Sequence, residues 1–533
     1  MFIRTIRIVA LLLCALFTFS AAAQEGEYAL TLMHTNDTRA THLPDANGVG
    51  GAARQATVVR QIRAETENSL LLDAGGRFTG TLFHRVYAGQ DNVQVMNALG
   101  YDAMTIGNPE FDNGDVILAQ FIDGLNFPVL VANVDTSRSE ALNGRFVPST
   151  VLEAGGRRIG LIGITTDSTP RLSSPGRDLI FQSNMRALVQ AQADALTADG
   201  VNIIILLSYL GYENDLALAA ELRGVDVIVG GNSRTLLSNT QPDAAGPYPA
   251  EVTAADGGLT LVVQSGGGAR GELRFMGRLD LAFDDEGAIT AYSGDTILLD
   301  ASIPPDPDVE ALIADLDEQV QLERGRVIRS TAGTPVEVLT AWTVEDCRIR
   351  ECALGNLVAD ALRWRTGTDV ALMNGGGLRG GLEAGTLLRG EVLELLPFTN
   401  RLSTLLVTGA DLLLALENGV SRVGESSGTG RFPQVSGMRY TYDPAQPALS
   451  RIVALEILNS DGVTYAPVDP TRRYSLTTND FIRRGGDGYQ VFADRGIDPV
   501  DTVIFFDDVL LDYAREFAPL DPQLEGRISV VGE

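Results

Sequence analysis

From residue 27 to about 285 the chain repeats one pattern: a short apolar run that exits into Asp, Asn, Ser or Gly, then an amphipathic stretch. The runs include "YALTLMH", "SLLLDAG", "AMTIGN", "PVLVANV", "RIGLIGITT", "NIIILLSYLG", "VDVIVGG" and "LTLVVQSGGG". Between them lie "GGAARQATVVRQIRAE", "DNVQVMNALG" and "MRALVQAQADALTADG". Buried strands alternating with helices predict an α/β layered domain. In such folds ligands bind beyond the carboxyl ends of the strands. The polar residues at the strand exits are therefore candidate site residues, although any one of them can serve only to turn the chain.

The pattern then changes. "SIPPDPDVEALIADLDEQVQLERGRV" opens with prolines and an acidic cap and continues at helical spacing, which predicts a linker helix within 301–333. From about 335 to 530 helical segments ("GNLVADALRWRTG", "GADLLLALENGVSRV") mix with strand-like ones ("SRIVALEILN", "RRYSLTTNDF", "DTVIFFD"). That mixture predicts an α+β domain. A chain of 533 residues is too long for one core, so a first domain over 27–300 and a second over 335–530 are expected.

Charge narrows the partners. The formal net charge of −28 opposes nucleic acids and anionic membranes. All basic residues are arginine, whose planar fork suits phosphate. Residues 1–23 read as a secretory signal: Arg4 and Arg7, an apolar stretch containing Cys14, then "AAAQ". The remaining cysteines, Cys347 and Cys352, read as one disulfide in an oxidising compartment, with two reduced buried thiols as the alternative. The C-terminus carries no anchor signal. An exported protein without a membrane anchor is expected, periplasmic or extracellular, with its oligomeric state open.

Five strand exits arrive in order: "HTNDTR" at 34–39, "LDAGGRFTG" at 72–80, "GNPEFD" at 107–112, "LLSYLG" at 206–211 and "GGNSRT" at 230–235. With their flanks ("LMHTND", "MNALGYDAMTIGNPEFD", "VDVIVGG") they resemble the 5′-nucleotidase family. The resemblance implies a calcineurin-like metallophosphoesterase domain, a β-sandwich flanked by helices, followed by a 5′-nucleotidase C-terminal domain. It also implies two divalent metals, zinc or manganese, that clamp a phosphate ester and activate water.

The chain departs from the family at the metal positions. Asp37 and Asn108 keep ligand positions, and Asp112 keeps the position that orients the catalytic histidine. Arg39, Gly76, Tyr209, Asn232 and Arg234 replace the other ligands, and Pro109 replaces that histidine. The three histidines, His34, His42 and His84, fall elsewhere, although a small register shift would bring His42 near the Arg39 position. No metal cofactor is expected from this set. Arg39 and Arg234, with Arg77, could instead clamp phosphate; the competing reading, which we favour, is that they face solvent or pair with Asp37 and Asp112.

The second domain keeps its pattern. "CRIREC" presents Arg348 and Arg350, "MNGGGLRGG" sets Asn374 and Arg379 around a glycine turn, and "GRFPQVSG" and "NDFIRRGGDGY" each place a Phe beside a turn. With "LPFTNRL" these resemble the family's substrate domain. The resemblance implies that Phe432 and Phe481 stack the base, Asp487 contacts the ribose, and Asn374, Arg348 and Arg379 hold ribose or phosphate oxygens. It also implies the Cys347–Cys352 disulfide loop. The expected function is nucleoside or nucleotide binding with lost or much reduced hydrolysis; the alternative is an active 5′-nucleotidase that uses a residual site.

Overall fold

The computed structural model describes residues 27–267, 273–398, 400–424 and 430–532. The signal sequence expected over 1–23, with Cys14, lies outside them.

Two sheets face each other in the first half. One orders its strands Ile289–Leu298, Phe275–Phe283, Tyr28–Thr35, Ser69–Asp73 and Ala103–Met104, the last three parallel. The other orders Ala250–Thr253, Leu259–Val263, Val227–Gly230, Ile203–Tyr209, Arg157–Thr165 and Ser149–Ala154, parallel except at its two edges. The two-residue period of a strand divides the apolar runs between layers. Leu30 and Leu32 join Ile203, Ile205 and Leu207 in the core between the sheets. Met33 turns outward to the helices Ala52–Glu65, Gln90–Leu99 and Pro307–Arg324. Ile204 and Leu206 turn the opposite way, to Met185–Ala198 and Tyr212–Glu221. The result is a β-sandwich flanked by helices.

Three segments differ from expectation. The run at "AMTIGN" supplies only a two-residue strand, because from Asn108 the chain winds into a 3₁₀ turn. "PVLVANV" contributes isolated bridges and the short strand Val134–Asp135. The antiparallel pair Phe275–Phe283 and Ile289–Leu298 widens the first sheet beyond the strands read from the sequence.

The helix Pro307–Arg324 begins at Asp306, whose carboxylate accepts from the amides of Asp308 and Val309. Val309, Ile313, Leu316 and Val320 bury its apolar face in the first core. The second half holds a sheet ordered Pro433–Ser436, Val370–Asn374, Arg473–Asn479, Arg401–Thr408 and Ile497–Phe505, and a four-stranded sheet centred on Met438–Tyr442. Helices Ala353–Thr366 and Phe506–Glu516 pack in one core, and Gly409–Val420 in another. No helix among the described residues is long and apolar enough to cross a membrane.

Candidate functional site

The carboxyl ends of the parallel strands of both sheets meet at one rim. Asp37 follows Tyr28–Thr35, Gly76 follows Ser69–Asp73, and Tyr209 ends Ile203–Tyr209. Tyr209 is fully buried, and its hydroxyl donates to Asp37 Oδ1 at 2.8 Å. The other Asp37 oxygen accepts from Asn36 Nδ2 at 3.0 Å. Four glycines form the slot around the Tyr209 ring. A Cβ at Gly76 would lie 2.9 Å from both Tyr209 OH and Asp37 Oδ1; one at Gly75 or Gly231 would lie 3.1 or 3.0 Å from the ring. A Cβ at Gly107 would overlap it. The tyrosine thus fills the space that an aspartate at position 76 would need.

Arg39 supplies the charge at this rim. It donates from Nη1 to Thr79 Oγ1 at 3.1 Å, and its Nε has no hydrogen-bond partner among the described residues. Burial alone would lower its pKa, but Tyr209, Asp37, Asp112 and Glu110 together keep it above the ordinary value. Burial pushes the Tyr209 phenol well up, and the neighbouring Asp37 adds to that. Asp112 is pushed up to about 7, first by burial; Glu110 and Asp480 add to this, against a hydrogen bond from Ser173 and the charge of Arg39.

Two divalent ions do not fit these donors. Gly76 has no side chain to bridge them, Tyr209 holds Asp37 as a hydrogen-bond acceptor, and Arg39 places a permanent cation in the same space. Among the described residues no three Asp, Glu, His or Cys side chains converge to hold a metal.

The other sequence candidates divide. Arg77 does not reach the rim: it is buried against Asp73 Oδ2 at 2.6 Å and Tyr101 OH at 2.5 Å. His42 is buried on Asp91 at 2.8 Å, and His34 on Tyr248 OH at 2.7 Å, so neither replaces a ligand. Glu110 lies in the "GNPEFD" stretch, which carries the resemblance without assigning this residue a role. It accepts from the backbone amides of Gly76, Arg77, Phe78 and Gly107 and so fixes two of the loops together. Its signal in the sequence is its place at the end of "GNPE", which matches the Gly-Asn-His-Glu element of the family pattern except at Pro109.

A cavity of about 290 Å³ opens from this rim into the second half. Asn108 and Asp112 line it on one side; Asn374, Arg379, Phe481 and Asp487 line it on the other. Asp487 Oδ2 accepts from Asn374 Nδ2 at 2.8 Å, and Asn374 Oδ1 accepts from Asn479 Nδ2 at 3.0 Å. Asn479 also caps the turn that carries Phe481, accepting from Ile482 N at 2.7 Å. One hydrogen-bonded chain therefore orients both the carboxylate and the ring. Burial raises the Asp487 pKa against Asn374, Arg431, Arg379 and Arg348. Cys347 and Cys352 are disulfide-bonded, and a Cβ at Gly375 would collide with the Cys347 carbonyl, so the glycine turn lets this loop and Arg348 close over it. Arg350 instead turns to Asp346 at 3.1 Å.

Phe432 is a correction. It is fully buried in the second core, edge-on to Tyr442, and does not line the cavity. The strand that follows it, Pro433–Ser436, pairs with Val370–Asn374 and directs the ring inward. The second aromatic wall is Phe398, 39% exposed, with the Arg379 guanidinium 5.3 Å from its ring centre. It lies within "LPFTNRL", a stretch that carries the resemblance without assigning its ring a role.

The model of the 5′-nucleotidase C-terminal domain matches residues 328–494. A snake venom 5′-nucleotidase from Naja atra is 35% identical, over 94% of this chain and 99% of its own. The 5′-nucleotidase of Mus musculus is 36% identical, over 94% and 90%. A crystal structure of a 5′-nucleotidase precursor from Thermus thermophilus superposes with a TM-score of 0.72 at 39% identity, covering 95% of this chain and all of that one. On full-length identity and on fold alike, the chain belongs to the 5′-nucleotidase family.

Proposed function

We propose that this family member binds a nucleoside or nucleotide and has lost efficient metal-dependent hydrolysis of phosphate esters. One juxtaposition carries the reading: an ordered cavity with Asn374, Asp487, Phe398 and Phe481 faces a rim where Tyr209 and Arg39 occupy the space of the metals. Two aromatic faces suit a planar base, and the Asn374–Asp487 pair suits sugar hydroxyls. Arg348 and Arg379 serve phosphate or ribose oxygens. In this reading residues 27–300 form the altered metallophosphoesterase domain, 301–333 the linker and 335–530 the binding domain. The protein acts outside the cytoplasm, to which the signal-like N-terminus and the Cys347–Cys352 disulfide both point.

Calorimetry of the purified chain with adenosine and AMP tests the binding half. Saturable binding that weakens in Phe398→Ala and Phe481→Ala is the expected result, and no binding at millimolar ligand would overturn it. Metal analysis and phosphate release from AMP with added Mn²⁺ or Zn²⁺ test the other half. Stoichiometric metal with turnover well above background would establish an active 5′-nucleotidase instead.

A further inference from the structure

Asp487 stands in a backbone conformation that residues with a side chain rarely adopt. Its φ is +53°, within the short 3₁₀ turn Gly486–Gly488. The turn is closely packed: a Cβ at Gly486 would overlap the Phe481 ring, and one at Gly488 would lie 2.7 Å from Asn418 Oδ1. Two elements hold the aspartate. Asn374 orients its carboxylate at the cavity wall. Its backbone carbonyl accepts from Asn418 Nδ2, in the helix Gly409–Val420, at 3.1 Å.

Asn418 is itself fixed. Its Oδ1 accepts from Arg431 Nη1 at 3.1 Å, and the same nitrogen donates to Ser421 Oγ at 3.2 Å. Ser421 Oγ in turn donates to the Asn418 carbonyl at 2.6 Å. The buried Tyr489 donates its hydroxyl to the Arg431 carbonyl at 2.7 Å and ties that segment back to the turn. A carbonyl only accepts and a guanidinium only donates, so residue 418 must offer one donor and one acceptor. A primary amide does both; a carboxylate of the same shape does not. Neither Asn418 nor Arg431 lines the cavity. The charge of Arg431 nevertheless acts on Asp487, with Arg379 and Arg348, against the effect of burial.

We propose that Asn418 and Arg431 are positioning residues for the carboxylate that meets the sugar, a brace on the backbone side of the Asp487 turn that sets the side chain without touching the ligand. This rests on the nucleoside-binding reading and adds to it the residues that govern its sugar contact. Phe481, on the base side, has its own cap at Asn479. The effect of the brace should therefore fall on the sugar hydroxyls.

Calorimetry with adenosine and 2′,3′-dideoxyadenosine on the purified chain provides the test. The second ligand keeps the base and lacks the hydroxyls from which Asp487 would accept. The native chain should favour adenosine about tenfold, as expected for charge-assisted hydrogen bonds. Asn418→Asp, which keeps the acceptor and loses the donor, should weaken adenosine about tenfold and leave dideoxyadenosine within about twofold. Arg431→Gln tests the charge through pH. Asp487 accepts from both hydroxyls as a carboxylate, so adenosine affinity falls as pH drops through its pKa, which Arg431 helps to hold down. The fall should begin at higher pH in Arg431→Gln and return to its native position in Arg431→Lys. Asp112, pushed up to about 7 by burial, and Asp480 line the same cavity in every variant, so the difference between profiles is what reports on Arg431. Equal native affinities for the two ligands, a loss shared by both in Asn418→Asp, or an unmoved acid limb in Arg431→Gln would overturn the brace and leave nucleoside binding intact. Failure of the native chain to bind adenosine would overturn both.

Discussion

Phe398 and Phe432 separate binding from stability at the scale of single residues. Phe432 is fully buried in the second core, so Phe432→Ala removes ring contacts and leaves a cavity, for a loss of about 3–5 kcal/mol. Phe398→Ala removes a partly exposed cavity wall and should cost little stability while weakening adenosine. Urea unfolding and calorimetry on the two variants check the contrast; equal destabilisation would refute the assignment. The distinction was not legible in the sequence. "LPFTNRL" and "GRFPQVSG" both place a Phe beside a turn, and only the pairing of Pro433–Ser436 with Val370–Asn374 decides which ring goes inside. By contrast Asn374, Arg379, Phe481 and Asp487 were singled out by the resemblance and not by their turns alone, and the structure brings all four to the wall of one cavity. His34 gives a pH effect of definite sign. Its burial against Tyr248 lowers its pKa to about 3. The unfolded chain therefore takes up a proton below about 6.5 that the native chain refuses until about 3. This contribution is complete above that upper value and is lost as pH falls toward the lower one, at about 1.4 kcal/mol per pH unit. Asp226, raised by burial to about 7, acts in the opposite sense over part of the range. Subtracting the urea-unfolding pH profile of His34→Gln from that of the native chain isolates the histidine, and parallel profiles would show that it contributes nothing.

At the scale of elements, the strand exits were the legible part and the layer edges were not. Apolar runs buried on both faces announced the central strands. The pair Phe275–Phe283 and Ile289–Leu298 went unread, although Leu279, Leu281 and Phe283 alternate as a half-buried strand should. The metal rim was legible as a set of replacements, but not how they fit together. Nothing local in "SYLG" says that Tyr209 lies in a slot made by Gly75, Gly76, Gly107 and Gly231, since those glycines come from three other loops. That arrangement makes restoration of the metal site a concerted matter. Tyr209→His alone supplies one imidazole beside Asp37 and Asn108, while Arg39 keeps its charge in place and Gly76 supplies no bridge. It should bind no stoichiometric zinc after dialysis and should lose about 1–3 kcal/mol of stability, as buried Asp37 loses its phenol donor. A variant that also carries Gly76→Asp and Arg39→His has bridging and terminal donors without the cation, so any zinc uptake should begin there. Stoichiometric zinc in the single variant would contradict the obstruction by Arg39.

For the whole molecule, the cavity exists because the two halves are held against each other. Ser174 Oγ donates to Asp480 Oδ2 at 3.1 Å, Arg484 reaches the Ser173 carbonyl, and Arg389 meets Glu323 at 3.3 Å. The most buried charged contact across the junction joins Arg85 in the helix Leu82–Tyr87 to Asp507 in Phe506–Glu516, with Nε at 3.1 Å and Nη2 at 2.5 Å from the same oxygen. Asp507 is 2% exposed and burial raises its pKa, so its ionisation depends on Arg85 staying in place. Removing one partner of such a pair strands the other charge. Because Arg85 is 21% exposed, the usual penalty shrinks to about 2 kcal/mol. Neither Asp507 nor Arg85 lines the cavity of about 290 Å³, so Asp507→Asn changes the fastening between the halves without altering the wall of that cavity. The ligand-free Asp507→Asn chain should therefore show a larger radius of gyration by small-angle scattering than the native chain. Saturating nucleotide should restore the native radius at some loss of affinity, because binding must then drive the closure that the ion pair otherwise favours. An unchanged radius together with unchanged affinity would mean that the remaining contacts hold the halves together without this pair.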